Sequence, residues 1–135
     1  MGLQAAERDS RAPFVQTWLP VLVYLAVIFI VSAQPNLKPP LQFEFSDKLC
    51  HLLEYGGLGV LLARALRLGA RRSWPAAVAG ATIGLGALTG VADELFQRGV
   101  PGRESSALDW AADVAGVSLG TATYAWMLRS RWPWR

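Results

Sequence analysis

The stretch FVQTWLPVLVYLAVIFIVSA, from Phe14 to Ala33, decides the class of fold, because no side chain in it carries a charge. A helix needs roughly 20 predominantly apolar residues to cross the hydrocarbon core of a bilayer. This stretch therefore predicts a membrane-spanning helix. A signal peptide is the alternative, since two arginines precede the stretch and Val31-Ser32-Ala33 resembles a cleavage site. We favour a retained helix, because the apolar run reaches spanning length.

The composition of the whole chain agrees with a membrane location. Of its 135 residues, 53% are hydrophobic and 17% are charged, and its mean hydropathy is +0.28. Soluble domains carry about 25% charged residues. Four spanning helices with short loops would use nearly the whole chain, which leaves no room for a separate soluble catalytic domain. The single cysteine, Cys50, excludes an intramolecular disulfide.

Prolines and glycines divide the rest of the chain into three more predicted helices. Pro39 and Pro40 cannot continue the first helix, and Ser46 is predicted to cap the second. Pro101-Gly102 lies in the loop before the last helix. The sequence thus predicts an all-α membrane protein with four transmembrane helices in a compact bundle. The predicted spans are residues 14–33, 47–68, 74–97 and 107–128, between tails of residues 1–13 and 129–135.

Basic residues are distributed unequally between the two ends of this predicted bundle. Nine of the 13 Lys and Arg residues lie in the two tails, in the turn between the second and third helices, or in the helix residues next to that turn. Because cytoplasmic loops are enriched in Lys and Arg, we expect both termini in the cytoplasm. Five of the six tryptophans would lie near the same interface. The net charge of +3 is therefore interpreted as a topology signal, and no nucleic-acid partner is expected.

Most acidic residues fall at the other, outer end, together with the single histidine. Asp47, His51 and Tyr55 recur every four residues and so share one helix face. Charged groups at membrane depth are costly and are functional candidates by default. The sequence therefore predicts a polar pocket that opens outward. Its predicted members are Asp47, Lys48, His51, Tyr55, Asp93, Glu94, Gln97, Arg103, Asp109 and Asp113.

Small residues continue two of these polar faces toward the cytoplasmic half. In the third helix they follow Asp93 and Gln97, and in the fourth they follow Asp109 and Asp113. Small residues allow helix backbones to approach closely in lipid. We therefore expect a tight inner bundle that supports the pocket. The glycines concerned are Gly86, Gly90, Gly116 and Gly120.

Several kinds of chemistry suit the predicted pocket. A histidine with carboxylates can bind a divalent metal ion, for which His51, Glu94 and Asp109 are candidate ligands. His51 with Asp93, Glu94 and Asp109 is also a candidate catalytic set for acid–base chemistry or proton relay. The remaining members are candidate substrate-binding residues, among which Lys48 and Arg103 suit a phosphate or carboxylate.

Structural roles are the alternative for the same residues. Asp109 follows Ser106 by three residues, which is a helix-capping pattern. Asp47 at a helix start is favoured by the helix dipole alone. Lys48 and Arg103 can serve simply to neutralise buried acids.

Three of these elements resemble the signature of the VanZ-like family of small membrane proteins. Asp47-Lys48-Leu49-Cys50-His51-Leu52-Leu53-Glu54-Tyr55 resembles the family's D-K-x-x-H-x-x-x-Y element, and Asp93-Glu94-Leu95-Phe96-Gln97 resembles D-E-x-x-Q. Pro101-Gly102-Arg103, followed by Asp109, Asp113 and Gly116, resembles P-G-R…D-x-x-x-N-x-x-G. The family commonly has Asn where this chain has Asp113, so this chain carries an additional carboxylate.

The resemblance implies a multi-spanning protein of the bacterial cytoplasmic (inner) membrane, whose founding relative is linked to low-level teicoplanin resistance. The leading hypothesis is a site that binds or modifies a cell-envelope lipid or lipoglycopeptide. The first alternative is a proton-coupled small transporter, which would need to form an oligomer. The second is a non-catalytic binding or scaffold protein whose polar residues only hold the bundle together.

Overall fold

A computed structural model describes residues 14–38, 43–70 and 76–130 of the chain. This described part contains four α-helices and no strand. The predicted all-α bundle is thereby confirmed. Where they fall on described residues, the predicted limits differ from the ends of the observed helices by at most two residues, and the extent of each span within a membrane stays a prediction. The predicted tail of residues 1–13, most of the C-terminal tail and the predicted start of the third span at Trp74 lie outside the described residues. The helices are α1 (Phe14–Ser32), α2 (Ser46–Gly69), α3 (Ala76–Gln97) and α4 (Ala107–Ser130).

Three of the described helices are long and apolar enough to cross a membrane. The most apolar stretches of α1, α2 and α3 have mean hydropathies of 2.3, 1.3 and 1.4. α4 has 24 residues, which at the α-helical rise corresponds to about 36 Å. It is not among the three helices that are apolar enough by this measure, and its predicted span stays a prediction.

α2 is the central helix of the bundle. It packs against α1, α3 and α4, whereas the described backbones of α1 and α4 do not come close to each other. Successive helices run antiparallel, so α2 and α4 are parallel and begin at the same end. Lys48 and Asp109 meet near their N-termini, and Arg67 and Tyr124 meet near their C-termini. We call the end that holds the N-termini of α2 and α4 the polar end.

Apolar side chains lie on both the inside and the outside of the bundle. The core contains Ile28, Tyr55, Leu58 and Val117, all fully buried. Large apolar side chains are also exposed, most continuously along α1, as expected for helices that face lipid rather than water. On α1 these exposed residues include Leu19, Leu22, Val23, Val27 and Ile30.

Glycines let the backbones of α2 and α4 approach each other closely. A methyl group added at Gly116 would collide with the carbonyl oxygen of Leu52, and one at Gly120 with the carbonyl oxygen of Gly56. On the other side of α4, a Cβ at Gly86 of α3 would meet the side chain of Val117. The predicted close packing of the α3 and α4 glycines is therefore confirmed, in the manner of small-residue contacts in membranes.

We expect Gly116→Ala to destabilise the bundle by about 1–3 kcal/mol, because the added methyl meets backbone that cannot rotate away. Gly84→Ala is the matched control, since nothing lies within 4 Å of a Cβ there. Thermal unfolding in detergent, followed by circular dichroism, compares the two variants. Equal unfolding temperatures for both would show that the α2–α4 contact is not tight.

Candidate functional site

The N-termini of α2 and α4 are built differently at the polar end. α2 begins at Ser46, and its N-cap is Phe45, which forms no side-chain cap hydrogen bond. The prediction that Ser46 caps this helix is therefore wrong. The physical reason is a preceding turn, in which the Ser46 N–H donates to the Phe43 carbonyl at 3.0 Å. This turn brings Ser46 itself into the helix.

α4 has the predicted serine cap, but its carboxylate partner comes from another helix. Ser106 Oγ accepts the Leu108 N–H at 3.1 Å, which is the N-cap interaction. The Ser106 N–H donates to Glu94 Oε2 of α3 at 2.8 Å. In a capping box within one helix, Asp109 would accept that N–H. Glu94 takes this place, which leaves the Asp109 side chain for another partner.

A buried pair of His51 and Asp113 joins α2 to α4. His51 Nδ1 lies 2.8 Å from Asp113 Oδ1. The His51 residue is 4% exposed and the Asp113 residue is 0% exposed. No hydrogen bond joins the second ring nitrogen, Nε2, to the residues that the structure describes. A buried carboxylate on one nitrogen orients the ring and leaves the other nitrogen for proton transfer or a ligand.

An ion pair also joins α2 to α4, one helical turn nearer the loops than the His51–Asp113 pair. Lys48 Nζ donates to Asp109 Oδ1 at 3.0 Å. The Lys48 side chain is 29% exposed, whereas that of Asp109 is 4% exposed. Asp47 and Asp109 also lie in the first turns of α2 and α4, where the positive ends of two parallel helix dipoles favour carboxylates.

A second hydrogen-bonded group connects α1, α2 and α3. Tyr55 O–H donates to Asp93 Oδ2 at 3.4 Å. Gln97 Nε2 donates to the same oxygen at 3.4 Å and to Ser32 Oγ of α1 at 3.1 Å. All four residues are buried. The predicted shared face of Asp93 and Gln97 is therefore observed as a direct contact.

Three carboxylates in this region each have one buried oxygen that no described residue hydrogen-bonds. The three oxygens are Asp93 Oδ1, Glu94 Oε1 and Asp113 Oδ2. A buried polar atom without a partner loses its hydration and gains nothing in return, which costs free energy. A group that bound these oxygens would recover part of that free energy.

The polar end contains an open cavity of about 330 Å³, which we call the polar cavity. Its lining comes from the α1–α2 loop, the α3–α4 loop and the first turns of α2 and α4. Gly102 shapes the rim, because its φ of +75° favours glycine and an added Cβ would collide with Asn36. The Asn36 N–H donates to the Pro101 carbonyl at 3.1 Å and joins the two loops. The lining residues are Leu37, Asp47, Lys48, Gly102, Arg103, Glu104, Ser106 and Asp109.

A second cavity, of about 230 Å³, opens on the side of the bundle between α3 and α4, and we call it the lateral cavity. Apolar side chains of Val91, Leu95 and Trp110 line much of it. Glu94, Arg98 and Ser106 also line it, and Ser106 lines the polar cavity as well. The two cavities are therefore adjacent.

The structure brings all ten predicted site residues to the polar end but divides them by depth. Asp47, Lys48, Arg103 and Asp109 line the polar cavity. Arg103 forms no ion pair or hydrogen bond through its guanidinium within the described residues. The other six residues lie below the cavity floor or at its edge: His51, Tyr55, Asp93, Glu94, Gln97 and Asp113.

The structure divides the candidate metal ligands of the sequence prediction between two groups that have one residue in common. His51, Glu94 and Asp113 each offer a ligand atom within 4.8 Å of the others, and so do Asp47, His51 and Asp109. Glu94 and Asp109 thus belong to different groups, which share His51. The spacing along the chain could not show this division, because it depends on how α3 and α4 are rotated.

Ser32 and Ser106 are polar residues of the site that the sequence prediction did not include. The sequence does indicate a role for Ser106, because a serine just before an apolar run predicts a helix N-cap. No sequence pattern places Ser32 in the site, because a serine at the end of an apolar helix does not indicate which helix it will face.

A model of the VanZ/LLP1 family matches residues 4–128, which include all four helices except the last two residues of α4. Every residue of the two cavities lies within the match. Neither the curated proteins nor the solved structures contain a match to the chain.

We expect His51→Leu to destabilise the protein by about 3–5 kcal/mol, because it leaves the Asp113 carboxylate buried without a partner. Adding Asp113→Asn should restore part of that loss, since the amide has no charge to compensate. Thermal unfolding of the two single variants and the double variant gives the coupling. Losses that simply add would show that the two side chains do not interact.

Proposed function

The chain belongs to the VanZ/LLP1 family, and from that premise we propose that it binds the anionic head of a cell-envelope lipid or lipoglycopeptide in the polar cavity. One observation carries the proposal: the open cavity, with Lys48 and Arg103 in its lining, adjoins the buried His51–Asp113 pair. The location proposed for it is the bacterial inner membrane, with the cavity facing outward.

Arg103 is the feature of the cavity that favours an anion, and it does so in a lining that also contains the carboxylates of Asp47, Glu104 and Asp109. No described residue forms an ion pair or hydrogen bond with the Arg103 guanidinium. A free guanidinium can bind phosphate or carboxylate with two parallel hydrogen bonds. Two helix N-termini also point to this end, and the positive ends of their dipoles favour negative charge. Lys48 contributes less, because Asp109 already holds its ammonium.

The lateral cavity supports an amphiphile rather than a small hydrophilic anion. Its lining combines the apolar side chains of Val91, Leu95 and Trp110 with polar ones that include Arg98, and it lies beside the polar cavity. A volume of about 330 Å³ for the polar cavity is near the lower limit for ligand sites. It therefore suits a head group, with an acyl chain lying along α3 and α4.

The buried pair also favours modification of the bound head group over binding alone. A histidine whose ring is oriented by a buried carboxylate can accept and release a proton at its other nitrogen. His51 is within 4.8 Å of the Asp47 and Asp109 carboxylates that line the cavity. A reacting atom of the head group would therefore lie close to His51.

A proton-coupled transporter is less well supported by the described residues. A relay needs titratable groups along the whole path. Below Tyr55 and Asp93 the buried residues that the structure describes are apolar side chains, glycines and three threonines, and the next charged groups are the arginines near the other end. The polar residues therefore form a pocket at one end of the bundle. A second copy would have to complete any path.

We expect Arg103→Gln to weaken binding of phosphatidylglycerol by the purified protein, measured by native mass spectrometry in detergent. Arg129→Gln is the matched control, because it removes the same charge at the opposite end of α4. Equal lipid binding by both variants would contradict a head-group contact at Arg103. In a teicoplanin-susceptible strain, expression of the wild-type chain, but not of Arg103→Gln, should reduce killing by the drug.

Orientation in the membrane is tested by labelling single cysteines in a Cys50→Ser background. Glu44→Cys, in the loop before α2, should react with a membrane-impermeant reagent in intact cells. Ser130→Cys, at the end of α4, should react only after the cells are permeabilised. The reverse pattern would place the polar cavity on the cytoplasmic side.

A further inference from the structure

We propose that His51, Glu94 and Asp113 bind a divalent transition-metal cation, Zn²⁺ or Mn²⁺, below the floor of the polar cavity. Each residue offers one ligand atom, and these atoms lie within 4.8 Å of one another. The three residues come from three different helices, α2, α3 and α4, and all are buried. The site does not depend on which amphiphile the protein binds.

Unpaired oxygens provide the independent observation that points to a ligand here. Glu94 is 6% exposed and Asp113 is 0% exposed, yet Glu94 Oε1 and Asp113 Oδ2 have no hydrogen-bond partner among the residues that the structure describes. A Cβ built at Gly90 would lie 2.8 Å from Asp113 Oδ2, so this oxygen faces α3, the helix that carries Glu94. A cation between the two carboxylates would compensate both oxygens.

The balance of charge in the cluster also favours a divalent cation. The carboxylates of Glu94 and Asp113 bring two negative charges into a buried region, and buried charges are normally paired or coordinate metals. The ammonium of Lys48 is held by Asp109. With neutral imidazole as the third ligand, a divalent cation makes the group electrically neutral.

The other group of possible ligands, Asp47 with His51 and Asp109, is a weaker candidate. Lys48 Nζ lies 3.0 Å from Asp109 Oδ1 and would repel a cation bound to that carboxylate. Asp47 is partly exposed to solvent, and neither it nor Asp109 has an unpaired buried oxygen among the described residues. The geometry therefore selects the deeper group.

The donor set determines the class of metal. One imidazole nitrogen with two carboxylates resembles the mixed ligands of Zn²⁺ sites, and Mn²⁺ accepts the same donors. Mg²⁺ and Ca²⁺ prefer oxygen ligands alone. Three protein ligands leave at least one coordination position for water or an oxygen atom of a bound molecule.

The test is metal binding by the purified full chain, with no amphiphile added. After treatment with a chelator, the protein is titrated with Zn²⁺ or Mn²⁺ and followed by calorimetry and by its thermal unfolding temperature. We expect one equivalent of either metal to bind and to raise the unfolding temperature, whereas Mg²⁺ has little effect. Glu94→Gln should weaken binding at least about 10-fold, since it removes a ligand charge.

Two further variants distinguish the outcomes. Asp113→Asn should also lose the metal, and Asp47→Asn should retain it, because Asp47 belongs to the other group. Metal lost from Asp47→Asn but kept by Glu94→Gln would move the site to the cavity lining and overturn the proposal. Absence of binding to the folded wild-type chain would overturn it as well, without affecting the test of lipid binding at Arg103.

Discussion

The backbone contact between α2 and α4 is the constraint on which the rest of the structure depends. Gly116 and Gly120 let the two helices meet at the carbonyl oxygens of Leu52 and Gly56, where any larger residue would keep them apart. Because the helices are parallel, this contact fixes one register, in which His51 lies opposite Asp113. A wider spacing would leave these side chains apart and would open the buried cluster to solvent.

That register places acids where they are energetically unfavourable. Charged side chains inside a membrane protein are expensive, and removing one partner of a buried pair leaves an uncompensated charge. If stability were the only requirement, apolar side chains could fill the same space in the bundle. Unpaired oxygens on Asp93, Glu94 and Asp113 are what a site prepared for a ligand would show, and they argue against a role confined to holding the helices together.

Much of the fold and of the site could be predicted from the sequence, because helix periodicity and the cost of buried charge act locally. The run from Phe14 to Ala33 is sufficient to predict a span, and the spacing of Asp47, His51 and Tyr55 is sufficient to place them on one face. The partners across helices could not be predicted, since they depend on rotation and register. Glu94 thus completes the cap of α4 from a different helix, and Ser46 lies inside α2 because a turn precedes it.

The most direct measurement compares stability and function in one variant, Glu94→Gln. The amide keeps an oxygen that can accept the Ser106 N–H and removes the buried charge, so only the ligand role is lost. If the buried acids serve a site, the metal-free variant unfolds at the wild-type temperature or above it and lacks the protection from teicoplanin that we propose for the wild-type chain. An unfolding temperature well below that of the wild type, with protection retained, would show that the cluster holds the bundle together and does nothing more.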